Sequence, residues 1–338
     1  MKVLTRGAVV RLAVLALVVA GGVGWMLSMP GRSYAGSLAP LSGRECGFRD
    51  ELRRDIGKLG GEIGERNFIR YDSLKAARDF IKESFRSAGF QVALQEYLLE
   101  NKPFHNIEVE IKGSVLPDKI IVVGAHYDSV GGSPGADDNA SGVAAVLALA
   151  RAFARSKPAC TLRFVAFVNE EPPFFQTRRM GSLQYARRSR ERGENIAGMV
   201  SVESIGCYAE AAGSQVYPFP LSFFYPDTAD FIGFIGNIGS RRLLRQALRL
   251  FRENVRFPSE GATLPSVIPG VAWSDHWSFW QEGYPAIMIT DTAPYRYPYY
   301  HSADDTPDRV DYDRLARVVA GLETVVSGLV GEPAPRSE

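Results

Sequence analysis

Cysteine is nearly missing from this chain. Among 338 residues there are three, Cys46, Cys160 and Cys207. They form neither a CxxC pair nor a metal-binding spacing, which excludes a disulfide scaffold and a thiolate metal site. One disulfide stays open, and it would leave an odd cysteine. An excess of charge of either sign is lacking too. With 39 basic and 38 acidic side chains, a net charge of +1, the composition argues against a nucleic-acid surface. There is no fixed-period repeat and no low-complexity tract. Gly233, Gly236 and Gly239 have the wrong spacing for a dinucleotide fingerprint. The stretch "GGSPG", residues 131–135, formally matches the GxSxG elbow of serine hydrolases. That elbow needs a helix starting at the Ser, whereas Pro134 follows Ser133 and the next helical pattern begins after Asn139.

What is present begins with an apolar run from Leu12 to Met29, preceded by Lys2, Arg6 and Arg11. This reads as an export signal. The run is about long enough to span a bilayer as a retained anchor with its cationic end inside, and cleavage after "SYA" at Ala35 is the other reading. Either one puts the remaining chain outside the cytoplasm, in the periplasm, cell envelope or secreted. The expected organisation is a signal peptide or membrane anchor over 1–30, a linker over 31–42, a single domain over 43–330 with an aromatic-rich insertion around 208–270, and a tail over 331–338.

Within the domain, strand-like and helix-like segments alternate. "ECGFRDELRRDIGKLG" is amphipathic. In "SLKAARDFIKESFRSAGF", Ala76, Phe80, Ile81 and Phe85 recur near a period of 3.6 and Gly89 closes the helix. "QVALQEYLL", "NIEVEIKG", "KIIVVGAH", "TLRFVAFVNEE", "GMVSVES" and "YPAIMITD" read as strands. "SGVAAVLALARAFAR", "GSLQYARRSRER", "SRRLLRQALRLFREN" and "DYDRLARVVAGLETVVSGLV" read as helices, the first capped by Asn139 or Ser141. This rhythm predicts an α/β fold: a three-layer α/β/α sandwich around a mixed, mostly parallel sheet. Tyr208 to Asn237 breaks it with aromatics and proline, and reads as a packed loop or a specificity wall.

In such a sheet, ligands bind beyond the carboxyl ends of the strands. His126 follows "KIIVVGA", Glu170-Glu171 follow "TLRFVAFVN", Glu203 follows "GMVSV", and His301 lies in the loop after "PAIMITD". Asp137-Asp138 precede a helix. Each has a bland alternative: a satisfied loop histidine, a helix-dipole acid, a solvated Glu pair. Together they make an all-nitrogen-and-oxygen ligand set suited to catalytic Zn²⁺, with enough carboxylates for two ions sharing one bridge. Of the neighbours Glu170 and Glu171, one can bind metal while the other takes a proton from water. His105 reads as structural. His276 reads equally as cleft-lining or structural.

The series "GAHYDS…PGADDNASG", "NEE…GS", "VESIG", "SDHWSFWQEGYPA" and "YYHSADDT" resembles the co-catalytic zinc aminopeptidases, whose fold is shared by glutamate carboxypeptidase and the glutaminyl cyclases. The resemblance covers about Arg66 to Val326. It implies His126 as a ligand of one zinc, Asp128 as its orienting partner, Asp138 as the bridge, Glu170 as general base, and Glu171 and His301 as ligands of the second zinc. It also places Asp275 near the substrate. Glu203 stands where many relatives have Asp, one methylene shorter. Two zinc ions per chain are expected and one is possible. The implied substrate is a peptide with a free N-terminus, with Phe223 and Phe224 favouring bulky apolar first residues. Glutaminyl cyclisation on one zinc, carboxypeptidase or amidohydrolase activity, and a non-catalytic anchored binding domain are the alternatives. The sequence sets no oligomeric state.

Overall fold

The computed structural model describes residues 6–331, apart from the side chain of Val9. Lys2 and nearly all of the expected tail lie outside the described residues. Eight strands form one sheet in the order β1-β2-β4-β3-β5-β8-β6-β7. The strands are β1 (Ala93–Leu99), β2 (Lys102–Ile111), β3 (Leu116–His126), β4 (Cys160–Phe167), β5 (Asn195–Glu203), β6 (Ile232–Gly236), β7 (Ser259–Thr263) and β8 (Ala286–Thr290). β4, β3, β5 and β8 are mutually parallel. β1 and β2 extend this core antiparallel at one side, and β6 pairs antiparallel with β8 at the other.

The helices are α1 (Arg6–Leu27), α2 (Gly43–Ile56), α3 (Tyr71–Ser87), α4 (Gly142–Phe153), α5 (Gly181–Glu191), α6 (Arg241–Asn254), α7 (His276–Gln281) and α8 (Tyr312–Val330). Side-chain alternation along the central strands assigns them to two layers. Ile121, Val123 and Ala125 of β3, with Leu162, Phe164 and Ala166 of β4, pack in one core with α2, α3, α4, α6 and α8. The intervening Ile120, Val122, Val165 and Phe167 face the other way, onto Tyr185 and Ala186 of α5 and Phe279 of α7. The chain is therefore the three-layer α/β sandwich read from the sequence.

Three local readings change. On α3, Ile81 and Phe85 are buried as read, together with Leu74 and Ala77, and Phe80 is partly buried against the same core, whereas Ala76 is exposed. The irregular stretch from Tyr208 contains β6, which was read as loop, and β7 follows α6. Both strands are five residues long, and β6, "IGFIG", carries two glycines, which weaken the strand signal. At Gly236 a Cβ would sit 3.1 Å from Leu244 and 3.3 Å from Ile287, tighter than ordinary contact. The three cysteines are free. As read, Gly89 takes a positive φ of +93° after α3. Asn139 rather than Ser141 caps α4: its Oδ1 accepts the Gly142 N–H at 3.0 Å.

Candidate metal centre

The parallel strands bring their carboxyl ends to one edge. β3 terminates on His126 and β5 on Glu203, Glu170 and Glu171 follow β4, Asp138 lies in the turn before α4, and His301 lies between β8 and α8. His126 Nε2 is 3.4 Å from Asp138 Oδ1, 3.2 Å from Glu203 Oε2 and 4.0 Å from Glu170 Oε2. His301 Nε2 is 3.1 Å from Asp138 Oδ2 and 3.4 Å from Glu171 Oε2. Each oxygen of Asp138 thus faces a different histidine, an arrangement that can bridge two cations. Of the residues singled out in the sequence, these six come together. His301 is a third exposed, while Asp138 and Glu171 are nearly closed off.

The surrounding groups hold these side chains in place. His126 Nδ1 donates to the Asp128 backbone carbonyl at 3.1 Å, which fixes the tautomer and leaves Nε2 free. The Asp128 carboxylate, expected to orient the imidazole, is further off at 3.7 Å. It instead accepts the backbone N–H groups of Glu170 and Glu171, both at 3.1 Å, and so ties the end of β4 to the end of β3. Glu203 Oε2 accepts from Ser274 Oγ at 2.7 Å and from Asn139 Nδ2 at 3.3 Å. Asp305, in the "HSADDT" motif, accepts the N–H groups of Asp137 and Asp138 at 2.8 and 3.1 Å. Ligand-flanking residues are held in the left-handed region: Asn169 at φ +60°, Ser204 at +44° and His301 at +57°. Strain of about 1–3 kcal/mol each is characteristic of functional sites. The sequence reading missed Ser274, Asn139 as a carboxylate partner, and Asp305. Only Asp305 carried a signal, its place beside His301.

Arg66 was missed as well. It is fully buried and its side chain donates only to backbone carbonyls: Tyr127 at 2.7 Å, Gly135 at 2.8 Å, Pro134 at 2.5 Å, Gly64 at 3.1 Å and Leu59 at 3.3 Å. It ties the segment entering α3 to the loop between His126 and Asp138. Gly135 in that loop has φ +60°, and a Cβ there would lie 2.4 Å from the Asp138 carbonyl oxygen.

The charges are crowded. Burial pushes the carboxyls of Glu170 and Glu171 well above the usual range, and neighbouring carboxylates add to it. Burial would lower His126, but Glu203, Asp128 and Asp138 raise it well above 6.5. Burial would raise Asp138, yet the two histidines hold it below the usual range. Glu171 Oε1 is buried with no hydrogen-bond partner. A buried excess of carboxylates with an orphaned oxygen calls for cations, and His126, Asp138 and Glu171 each offer an atom within 4.8 Å of the others. The residues therefore fit divalent metal, and the imidazole and carboxylate donors suit zinc. Asp275, at the start of α7, is fully buried and pushed up to about 7 by burial. It feels the charges of His126 and Glu203 but joins none of the ion pairs of the cluster. His276 is buried rather than cleft-lining, with Nε2 on the Val271 carbonyl at 2.8 Å. His105 sits within β2 against Glu96 at 3.0 Å, a structural role as read.

Beside Glu203 opens an apolar cleft walled by Tyr217, Leu221, Tyr225, Val271, Met288 and Tyr300. The aromatic insertion thus supplies the wall, but through other residues than expected: Phe223 and Phe224 are 75% and 52% exposed and do not line it. Tyr300 stacks on His301 with ring centroids 3.8 Å apart, joining the cleft to the metal cluster.

Residues 106–326 match Peptidase family M28. An uncharacterized protein of Escherichia coli, YfbL, is 38% identical over 286 residues, which is 82% of this chain and 87% of that one. A probable leucine aminopeptidase of Trichophyton verrucosum is 27% identical over 82% of this chain and 72% of its own length. Among solved structures, BSAP, a zinc aminopeptidase from Bacillus subtilis, shares the fold with a TM-score of 0.67 at 15% identity, over 86% of this chain and 96% of that one.

Proposed function

Since the chain belongs to peptidase family M28, we propose that it is a zinc-dependent aminopeptidase that removes the first residue of peptides with a free N-terminus. The observation that carries this reading is the shared carboxylate of Asp138, one oxygen 3.4 Å from His126 and the other 3.1 Å from His301. His126, Asp138 and Glu203 would hold one zinc, and Asp138, Glu171 and His301 a second. Bound zinc supplies Lewis acidity toward the scissile carbonyl and lowers the pKa of water. Glu170, 4.0 Å from His126 and outside both ligand groups, accepts the proton of the attacking water on its carboxylate and returns it to the leaving amine. Burial, which raises its pKa, suits it to hold that proton between the two steps. The cleft beside Glu203 takes the first side chain and excludes water from it, favouring bulky apolar residues. A preference for acidic or basic aminoacyl p-nitroanilides would reject that specificity.

The deciding experiment is Glu170→Gln. The variant should keep the metal content of the parent and lose about 10²–10⁴-fold in kcat. Unchanged kcat with zinc bound would remove Glu170 from the role of base. Outside the domain, α1 is 22 residues long and apolar enough to cross a membrane, and we assign it as an anchor that keeps the enzyme on the extracytoplasmic side.

A further inference from the structure

The end of α1 does not dangle from the domain. The carbonyls of Trp25 and Ser28 accept from Arg241 at 2.8 and 3.2 Å, and Arg245 also donates to Ser28. Arg252 donates to Pro30 at 3.0 Å and the Ser259 N–H to Ser33 Oγ at 2.9 Å. The Arg241 guanidinium lies 4.2 Å over the Trp25 ring. The helix exit is therefore seated along α6 and β7. Above it, Val10, Leu12, Val14, Leu15, Leu17, Val18 and Val19 are more than half exposed, an apolar surface that a bilayer would cover. At about 1.5 Å per residue the helix spans roughly the 30 Å of a hydrocarbon core, and Trp25 lies at the depth where interfacial aromatics collect.

Two features of the domain adjoin the helix exit. The first is basic. Arg241, Arg242, Arg245 and Arg249 line a shallow groove with Trp25 and Pro30, and the groove holds no acidic residue. Among the described residues no carboxylate pairs with Arg242, Arg245 or Arg249, whereas Arg44, Arg151, Arg163, Arg252 and Arg314 each have one. The second is aromatic. Phe219 and Phe223 are 84% and 75% exposed and pack edge-to-face at 5.9 Å. They belong to the loop whose Tyr217, Leu221 and Tyr225 wall the cleft. Leu27 of α1 packs on the same Ala262, Leu264 and Val271 cluster as Leu221 and Tyr225, so this loop stands next to the helix exit. Unneutralised arginines and exposed phenylalanines beside a membrane-crossing helix match an anionic headgroup layer in charge and in polarity.

We infer that the face made by α6 and the loop around Phe219 and Phe223 rests on the anionic surface of the bilayer that holds α1, so that the cleft beside the metal centre opens at headgroup level onto peptides bound at the interface. The substrate part of this inference rests on the aminopeptidase reading; the docking part does not.

The full chain, reconstituted in lipid nanodiscs at one chain per disc, tests both. Discs of phosphatidylcholine alone are compared with discs in which about a third of the lipid is phosphatidylglycerol, and amide hydrogen exchange is followed by mass spectrometry. Residues 216–224 and 241–250 should exchange several-fold more slowly in the anionic discs, and high salt should reverse this. Each arginine near an anionic surface strengthens docking about five-fold, so R242Q/R245Q/R249Q should weaken it by roughly a hundredfold and abolish the difference. Equal exchange in both discs would overturn the inference. So would protection that grows with the number of chains per disc, which would assign the face to a second copy. In the same discs, a bilayer-bound peptide with a free N-terminus, acylated on the side chain of a C-terminal lysine, should lose turnover in the triple variant while a soluble dipeptide does not. Failure on both peptides by the parent chain would count against the aminopeptidase reading alone, since exchange is read without turnover.

Discussion

At the scale of single residues, the instructive case is His276. It adjoins Asp275 in a motif that reads as active-site sequence, yet it is sealed in the core, 4.5 Å edge-on to Trp280. Burial lowers its pKa to about 4, whereas an unfolded histidine titrates near 6.5. Between those values the unfolded chain binds the proton and the folded chain does not, so this residue's contribution to stability is complete above about pH 6.5 and fades as the pH falls toward 4. By pH 5 the loss amounts to about 2 kcal/mol. H276Q can keep the bond to the Val271 carbonyl without titrating. Measured on metal-free protein, its melting temperature should fall less than that of the parent between pH 7 and pH 5. Parallel curves would show that His276 does not carry the acid sensitivity.

At the scale of elements, the central strands were legible because their apolar runs are continuous and end in polar side chains. "KIIVVGAH" and "GMVSVES" state both the buried strand and its functional terminus. Hence His126, Glu203, the Glu pair and His301 could be gathered from sequence as one site. Elements that owe their conformation to neighbours were not legible. β6 is a strand because β8 and β7 flank it, and on α3 Ala76 could be taken for the buried Ala77 because the two look alike. Arg66 gave no signal, since its partners are carbonyls scattered from Leu59 to Gly135 and carbonyls have no side-chain identity. It nonetheless governs the loop that carries Asp138. Replacing it with Met would strip donors from five carbonyls and should lower the unfolding free energy by at least about 3 kcal/mol. Arg66→Lys, with one short-reaching ammonium, should restore only a fraction. Urea denaturation of the two variants would measure this, and a midpoint near that of the parent in R66M would show that the loop stands without the clamp.

For the molecule as a whole, the sheet edge concentrates charge that the fold alone does not neutralise, as the raised carboxyls of Glu170 and Glu171 show. Metal should therefore act as a structural partner of the entire domain. Free zinc at a hundred times its dissociation constant stabilises a folded state by about 2.7 kcal/mol, which for a domain of this size is a rise of roughly 5–10 °C in melting temperature. Calorimetry before and after chelation should show that drop, reversed on adding zinc. An unchanged melting temperature in fully stripped protein would mean that the carboxylates have found another way to balance their charge. The same convergence has a consequence for biosynthesis. The last brace of the cluster, Asp305 on the N–H groups of Asp137 and Asp138, is supplied only after all eight strands of the sheet have been made. Until His301 and Asp305 have been made, a growing chain carries His126 and the four acids Asp138, Glu170, Glu171 and Glu203 but no closed pair of sites, and so it lacks the means to cut its surroundings.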